Sequence, residues 1–297
     1  MIKHIVINGG GPTGLISYGV LKHLSLNHFF DINHIESIYG TSIGGIFGVI
    51  LSLKYEWQTL DDYIIKRPWE KVFKILPEDF FNLFYTKGLF SFNVVEGFLG
   101  KLFEALEISL NITLKEFYEY TNIAHHFITV KGDTLECVDI SYKTFPDLPL
   151  IKALEMTTAF PIFCKPVFYE ETCYIDGGLL NNYPIKYCLD NEKCEKEEIL
   201  GIRNTYPMNT IHLNDKMNLL EYIQTIFGKI LNKLRHEQPT ADNNIPNEVK
   251  CYCDKNITNY ETWLNNLIEI DKRKELVEYG INCAIQFLEY QKQLSQC

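Results

Sequence analysis

The chain has 297 residues, of which 46% are hydrophobic, and it carries a formal net charge of −10. A hydrophobic share of this size is ordinary for a globular protein with a packed core. The acidic balance argues against nonspecific nucleic-acid binding and against steady adhesion to an anionic membrane, because both require a basic surface.

The chain opens with a predicted strand, loop and helix. Ile5–Ile7 has the short apolar pattern of a buried strand, Gly9–Gly14 is a glycine-rich loop, and apolar residues from Leu15 to Leu24 recur at helical spacing. The first apolar stretch is far too short for a signal-peptide core or a membrane span. We therefore expect neither a targeting segment nor a transmembrane segment.

The same unit is predicted a second time. A strand at Ile35–Tyr39 ends in the motif Gly40-Thr41-Ser42-Ile43-Gly44, and an apolar helical run follows at Ile46–Leu53. Two strand-loop-helix units in succession predict parallel strands joined by helical crossovers. The predicted fold class is therefore α/β, with a mostly parallel central sheet in an α/β/α sandwich.

The remainder of the chain is predicted to form two regions. The patterns predict strands at His126–Val130 and Leu135–Ile140, a helix at Ile151–Met156, two short strands within Val167–Ile175, and amphipathic helices at Met217–Leu234 and Lys272–Leu294. A polar loop at Asn191–Glu198 separates a main domain, residues 3–190, from a mainly helical C-terminal extension, residues 191–297. These two helices are expected to pack on the main domain rather than to bind a membrane.

Aromatic side chains are concentrated between Tyr55 and Phe103. They are Trp57, Trp69, Phe73, Phe80, Phe81, Phe84, Tyr85, Phe90 and Phe92. Large rings are mostly core formers, so we expect an ordinary helical layer, although such a stretch also suits a cap over a lipid pocket.

Nine cysteines are scattered without the spacing of a disulfide framework. Together with the absence of a predicted targeting segment, this favours a reducing compartment, and we expect a cytoplasmic protein that contacts membranes at most transiently. Cys251-Tyr252-Cys253 is a lone close pair, which is poor evidence for a metal site. We expect no metal and no organic cofactor.

The motif Gly40-Thr41-Ser42-Ile43-Gly44 is a G-x-S-x-G sequence placed between a predicted strand and a predicted helix. In that position a tight turn pushes the serine side chain out of the sheet. The following helix directs its N-terminal amides and the positive end of its dipole towards the same point. Ser42 is therefore the predicted nucleophile.

The loop Gly9–Gly14 has two readings. It fits the G-x-G-x-x-G pattern of dinucleotide-binding proteins, which would require an acidic residue at the end of the second strand. Asp31 lies near the right distance but precedes that strand. The loop can instead present backbone N–H groups to a developing negative charge, and Gly10 and Gly11 are the candidates for such an oxyanion hole.

A serine nucleophile requires a base. His125, His126, His212 and His236 follow Ser42, but none stands in a distinctive pattern. Asp176 does, because it follows the strand-like segment Cys173–Ile175 and precedes Gly177 and Gly178, which allow a sharp turn and a close approach. A carboxylate that hydrogen-bonds the serine hydroxyl can act as the base directly, whereas the alternative for Asp176 is a structural role in capping a turn.

The motifs Gly9–Gly14, Gly40–Gly44 and Asp176–Gly178, in that order, resemble those of the patatin-like phospholipase family. Thr157–Pro161 and Asn181–Pro184 are lesser matches, as are Gly88–Phe90 and Thr113–Phe117, and the resemblance covers about Lys3 to Ile185. It implies that Gly9, Gly10, Gly11 and Gly14 form the oxyanion loop and that Ser42 is acylated. It also implies that Asp176 is the only partner of Ser42, without a histidine. Many relatives have Arg where this chain has Thr13, which leaves a phosphate-headgroup preference open.

The sequence thus predicts a serine lipid acyl hydrolase, similar to phospholipase A, that acts on a lipid or membrane-surface ester. Three alternatives stay open: a triad esterase that uses His212 or His236, a lipid-binding or effector protein of the same fold with weak catalysis, and a nucleotide-binding protein. The lipid class, the role of the C-terminal third and the oligomeric state are not predicted.

Overall fold

The computed structural model describes residues 1–73, 82–83, 85–90, 93–205, 212–236, 244–253 and 260–294. The strands are β1 (His4–Ile7), β2 (Ser37–Thr41), β3 (Gly88–Phe90), β4 (Ala124–Lys131), β5 (Cys137–Ser141), β6 (Ile162–Cys164), β7 (Val167–Tyr169), β8 (Thr172–Asp176), β9 (Ile199–Thr205) and β10 (Glu248–Tyr252). The helices are α1 (Gly14–Leu26), α2 (Ile43–Ser52), α3 (Trp57–Asp61), α4 (Asn93–Ala105), α5 (Leu114–Thr121), α6 (Leu150–Thr158), α7 (Ile185–Glu192), α8 (Leu219–His236), α9 (Tyr260–Ile268) and α10 (Ile270–Leu294).

The central sheet is mostly parallel. Strands β10, β9, β1, β2 and β4 follow one another across it in that order and pair in parallel, while β5 and β8 pair with β4 in the antiparallel sense. Strands β3 and β6 form a separate two-stranded parallel sheet. The predicted α/β class with a mostly parallel sheet is confirmed.

Helices cover both faces of this sheet, as alternate residues of β1 show. Ile5 and Ile7 join a buried cluster with residues of α1 and α10, whereas Val6 joins a different cluster with Ile185 and Cys188 of α7. Successive side chains of a strand point to opposite faces, so a continuous apolar run such as β1 requires a helical layer on each side.

The C-terminal region contributes strands as well as helices. The sequence patterns predicted the helices that the structure places at α8 and α10, but they missed β9 and β10, which extend the central sheet beyond β1. The division at residue 190 remains a prediction.

The aromatic stretch packs largely into the core. Trp69, Phe73 and Phe90 are buried, with 2–4% of each residue exposed, while Tyr85 is 83% exposed. Phe80, Phe81, Phe84 and Phe92 lie outside the described residues.

Helices α1 and α10 cross at backbone contact. A Cβ atom at Gly280 would lie 2.1 Å from the carbonyl oxygen of Ile16, and one at Gly19 would lie 2.2 Å from the carbonyl oxygen of Val277. Only glycine allows two helix backbones to approach this closely. The C-terminal helix therefore packs directly against the helix that follows the glycine loop.

This crossing gives a stability prediction. We expect Gly280→Ala to lower the free energy of unfolding by about 1–3 kcal/mol, because the two helices must separate to admit a methyl group. Gly100→Ala in α4 is the matched control, since its Cβ would meet nothing within 4 Å. There the higher helix propensity of alanine should leave stability unchanged or raise it by up to about 1 kcal/mol. Urea unfolding of both variants tests this, and equal effects would contradict the close crossing.

Candidate active site

Ser42 forms the turn between β2 and α2. Its φ of 55° and ψ of −127° belong to neither helix nor strand, and such conformations cost on the order of 1–3 kcal/mol and cluster at functional sites. A Cβ at Gly40 would lie 2.5 Å from Gly45 N, and one at Gly44 would lie 2.4 Å from the carbonyl oxygen of Ile7. The turn therefore depends on both flanking glycines of the motif, and it leaves Ser42 partly exposed at the N-terminus of α2.

Thr157, at the end of α6, fixes the backbone of this turn. Its hydroxyl accepts a hydrogen bond of 2.9 Å from the N–H of Ser42 and donates one to the carbonyl oxygen of Ile128 in β4. Thr157 is completely buried. The sequence pattern includes Thr157–Pro161 but does not indicate this role.

The glycine loop leaves β1 at the same end of the sheet. Gly10 and Gly11 have φ values of 156° and 56°, where a side chain would be strained. The N–H of Gly9 donates to the carbonyl oxygen of Asn182 at 3.0 Å. Among the hydrogen bonds of the described residues, the N–H groups of Gly10 and Gly11 donate to no protein group. Their amides are therefore available to a ligand.

The glycine loop and the Ser42 turn are in direct contact. A Cβ at Gly9 would lie 3.2 Å from the Cβ of Ser42, and one at Gly14 would lie 2.5 Å from Cγ1 of Ile43. Two sequence motifs more than twenty residues apart thus form one surface.

Asp176 ends β8 and is 2% exposed. Its Oδ1 accepts a hydrogen bond of 2.6 Å from the N–H of Gly178, which fixes the orientation of the carboxylate. A Cβ at Gly177 would lie 2.1 Å from the carbonyl oxygen of Ile128, so the turn after Asp176 packs against β4. Burial, together with the charge of Asp176, raises the pKa of the Cys164 thiol to about 12.

The strand register brings Asp176 towards Ser42. Along β4, Ile128 pairs with Thr41 of β2 and the next residue, Thr129, pairs with Asp176 of β8. Strand β5 pairs with both of these β4 residues from the other side. The carboxyl ends of β2 and β8 therefore meet end to end on one side of β4, with Ser42 directly after the end of β2.

Asn182 connects the two loops. Its Nδ2 donates to the carbonyl oxygen of Gly9 at 3.1 Å. A Cβ added at Gly9 would lie 2.6 Å from its Oδ1, and one added at Gly178 would lie 2.7 Å from the same atom, so the amide packs against both glycines. Thr41 also donates to the carbonyl oxygen of Asn181 at 3.0 Å. In the sequence these asparagines stand out only as part of the lesser match Asn181–Pro184, because their partners are distant along the chain.

Thr13 is a structural part of the glycine loop. Its hydroxyl donates to the carbonyl oxygen of Gly10 at 3.0 Å, and its own carbonyl oxygen accepts a hydrogen bond from Asn204 of β9 at 3.1 Å. The residue is completely buried. Thr13 therefore supports the loop from inside and supplies no positive charge to it.

Trp263 of α9 covers the glycine loop from outside. A Cβ at Gly11 would lie 2.3 Å from Nε1 of Trp263. The indole also packs against the rings of Phe73, Phe90 and Phe163, at centroid distances of 6.0, 5.6 and 5.4 Å. An aromatic wall, partly from the C-terminal region, thus adjoins the loop.

The residue considered for nucleotide recognition lies elsewhere. The side chain of Asp31 accepts a hydrogen bond of 2.9 Å from the N–H of Asn33 and caps the short helix Ile32–His34. Asp31 precedes the start of β2, whereas the glycine loop follows the end of the parallel strand β1. The two therefore lie at opposite ends of these strands. The acidic partner that a dinucleotide site requires is therefore not supplied by Asp31.

The histidines considered as bases have other surroundings. His126 contacts Asp139 through Nδ1 at 2.8 Å and stacks on Tyr39. His212 is exposed, and the side chain of His236 lies outside the described residues. In the part of the chain that the structure describes, no hydrogen bond joins a histidine to Ser42.

His125 is buried between Phe117 and Phe127, and burial lowers its pKa to about 3. In the unfolded chain its pKa is near 6.5, so acid protonates the unfolded state first and stability falls as the pH drops below about 6.5. We expect the wild type to lose about 2 kcal/mol more than His125→Leu between pH 7 and pH 5. Urea unfolding at both pH values measures this difference. If the difference in unfolding free energy between the two proteins is the same at pH 7 and at pH 5, His125 is not held neutral by its burial.

Two further features are absent from the described residues. No helix there has both the length and the apolar character needed to cross a bilayer. Nor, within those same ranges, do three histidine, cysteine, aspartate or glutamate side chains converge as metal ligands would.

Comparison with known proteins gives a family. The model of a family described as patatin-like phospholipase matches residues 5–189. A protein called probable lipid hydrolase 463L, from Invertebrate iridescent virus 6, is 28% identical over 229 residues, which cover 70% of this chain and 72% of that protein. The uncharacterized protein R571 of Acanthamoeba polyphaga mimivirus is 24% identical, covering 78% of this chain and 81% of its own length. These matches support a lipid ester hydrolase.

A solved structure shares the fold. The structure of VipD from Legionella pneumophila superposes with a TM-score of 0.56 at 16% identity, covering 97% of this chain and 67% of that chain. At this identity the likeness concerns the fold alone.

Proposed function

We propose, because the chain belongs to the patatin-like phospholipase family, that it is a carboxylic ester hydrolase that releases fatty acids from lipids. In this proposal Ser42 is the nucleophile, Asp176 is its base, and the amides of Gly10 and Gly11 form the oxyanion hole. The observation that carries the proposal is the end-to-end meeting of β2 and β8 on β4, beside the glycine loop.

The reaction follows in two stages. Asp176 accepts the hydroxyl proton of Ser42 as Oγ attacks the acyl carbon, and the N–H groups of Gly10 and Gly11 stabilise the negative charge on the carbonyl oxygen. The intermediate collapses to an acyl-serine, and Asp176 returns the proton to the departing alcohol. Water, deprotonated by Asp176, then attacks the acyl-serine, and the fatty acid leaves while Ser42 regains its proton.

The lipid chemistry has local support. Trp263 beside Gly11 and the neighbouring ring of Phe163 are partly exposed and can contact an acyl chain. Thr13 adds no cation, so recognition in this proposal depends on the acyl ester rather than on a phosphate headgroup. We also propose a cytoplasmic protein that meets its lipid at a membrane surface.

The test is release of fatty acid from phosphatidylcholine, triacylglycerol and a soluble short-chain ester by the full-length protein, with labelling of Ser42 by a fluorophosphonate beside it. We expect hydrolysis of at least one lipid and labelling at Ser42. Folded protein that binds lipid but neither hydrolyses nor is labelled would contradict the proposal and favour a lipid-binding protein of the same fold.

A separate comparison tests the triad alternative. His212→Ala and His236→Ala should each keep the activity of the wild type within about twofold, because a serine-aspartate enzyme requires no histidine base. Loss of about a hundredfold or more in either variant would assign the base to that histidine instead.

A further inference from the structure

Helix α8 turns apolar side chains to solvent. Leu219, Tyr222, Ile223 and Ile230 are 74%, 47%, 43% and 51% exposed. At 100° per residue, these four positions fall within an arc of about 100° and form one stripe. Thr225, which lies outside that arc, is only 7% exposed. A helix that exposes an apolar stripe while a polar residue such as Thr225 is buried is the reverse of an ordinary surface helix.

The charge of α8 is also opposite to that of the whole protein. Its sequence contains Lys229, Lys233 and Arg235 against a single acidic residue, Glu221, which gives a net charge of +2 in a chain of −10. Lys233 is exposed, and at 100° per residue its helical position falls inside the same arc, between those of Tyr222 and Leu219. A long lysine side chain within an apolar stripe suits an anionic lipid surface, because its alkyl stem can lie in the apolar layer while the ammonium group reaches the headgroups.

The topology connects α8 with the candidate active site. Helix α8 lies in the connection from β9 to β10, and β9 ends beside the glycine loop, where Asn8 donates to the carbonyl oxygen of Asn204 at 3.1 Å and Asn204 donates to that of Thr13. The segment that carries the stripe therefore starts from the end of the sheet that holds Ser42.

We infer that α8 docks the protein on an anionic lipid bilayer, with the apolar stripe among the acyl chains and Lys233 reaching the headgroups. This docking differs from the expectation that the helix packs on the main domain, and the exposed fractions of the stripe are the reason. It concerns binding and does not depend on the proposed hydrolysis.

Sedimentation with vesicles tests the docking. Full-length protein with Ser42→Ala, which leaves the lipid intact, is mixed with vesicles of phosphatidylcholine alone or with added phosphatidylserine. We expect binding to the mixed vesicles, and a loss of about tenfold or more when Ile223→Glu and Ile230→Glu are added, since charges enter the acyl layer. The matched control is Tyr290→Glu with Leu294→Glu on α10, two residues that are 58% and 54% exposed and should leave binding unchanged.

A second variant separates charge from apolar contact. Lys233→Gln, which removes the positive charge without adding a negative one, should weaken binding to the vesicles that contain phosphatidylserine several-fold and reduce its dependence on salt, while binding to phosphatidylcholine alone should not change. Equal weakening on both kinds of vesicle would contradict the role of the lysine.

The inference is overturned if the Ser42→Ala protein sediments with neither kind of vesicle. It is also overturned if the protein that carries Ile223→Glu and Ile230→Glu in addition binds the vesicles as well as the Ser42→Ala protein does. A dimer in solution that becomes a monomer with Ile223→Glu and Ile230→Glu would also overturn it, and would assign the stripe to a second copy of the chain. With Ser42 intact, the glutamate pair should cleave a soluble ester at the wild-type rate and lose only vesicle hydrolysis. Vesicle binding without any ester cleavage would contradict the proposed function and leave the docking standing.

Discussion

Ser42→Ala is expected to lower fatty-acid release by about 10⁴-fold or more and to abolish labelling by a fluorophosphonate. The variant removes the only atom that would form the acyl-enzyme, while the turn retains its backbone hydrogen bond to Thr157. Fatty-acid release and covalent labelling, measured on the same folded protein, give two independent readings.

The matched control for this variant is Ser52→Ala. Ser52 ends α2, the helix that follows Ser42; it is 3% exposed and donates to the carbonyl oxygen of Val49 at 2.8 Å. It should alter stability slightly and leave hydrolysis unchanged. Activity of Ser42→Ala close to that of the wild type would mean that another residue is the nucleophile.

Asp176→Asn is expected to lower hydrolysis by about 10³-fold, within the range that loss of a general base produces. Asparagine has nearly the same shape, and its amide oxygen can still accept the hydrogen bond from the N–H of Gly178. The fold should therefore persist, and fluorophosphonate should still label Ser42, but more slowly because no carboxylate takes its proton. The rate of labelling and the rate of fatty-acid release are the two measurements.

Asp139→Asn is the control for the loss of a carboxylate in this sheet. Asp139 lies on β5 and contacts His126 and Asn191 instead of the Ser42 turn. We expect a change in stability with little change in turnover. If Asp176→Asn labels and hydrolyses as fast as the wild type, Asp176 has only the structural role of capping its turn.

The parallel part of the fold could be predicted because its strands are local and apolar. β1 and β2 lie close to the predicted positions, since each is a short apolar run followed by glycines and a helix. β10 was missed although Glu-Val-Lys-Cys-Tyr has the alternation of a half-buried strand, because a run of only five positions is a weak signal. β9 was missed because Gly201 and Arg203 interrupt the apolar run.

Some residues of the candidate site could be predicted and others could not. Ser42 and the glycine loop could be, because each lies in a short motif between a strand and a helix, where the chain must turn tightly. Thr157 and Asn182 could not be given roles, because their hydrogen bonds to Ser42 and Gly9 join residues 115 and 173 positions apart. The same holds for Trp263, whose contact with Gly11 depends on the packing of the last helices.

The position of β1 between β9 and β2 has a consequence for how much of the chain is required. Residues 5–189 match the family model, yet β9, which hydrogen-bonds the other side of β1, begins at Ile199. A chain cut at 190 would turn β1 into an edge strand with an unpaired row of N–H and C=O groups, a template for aggregation. It would also remove Asn204, which bonds the loop after β1. The shortest piece that protects its own sheet therefore extends well past the family motifs.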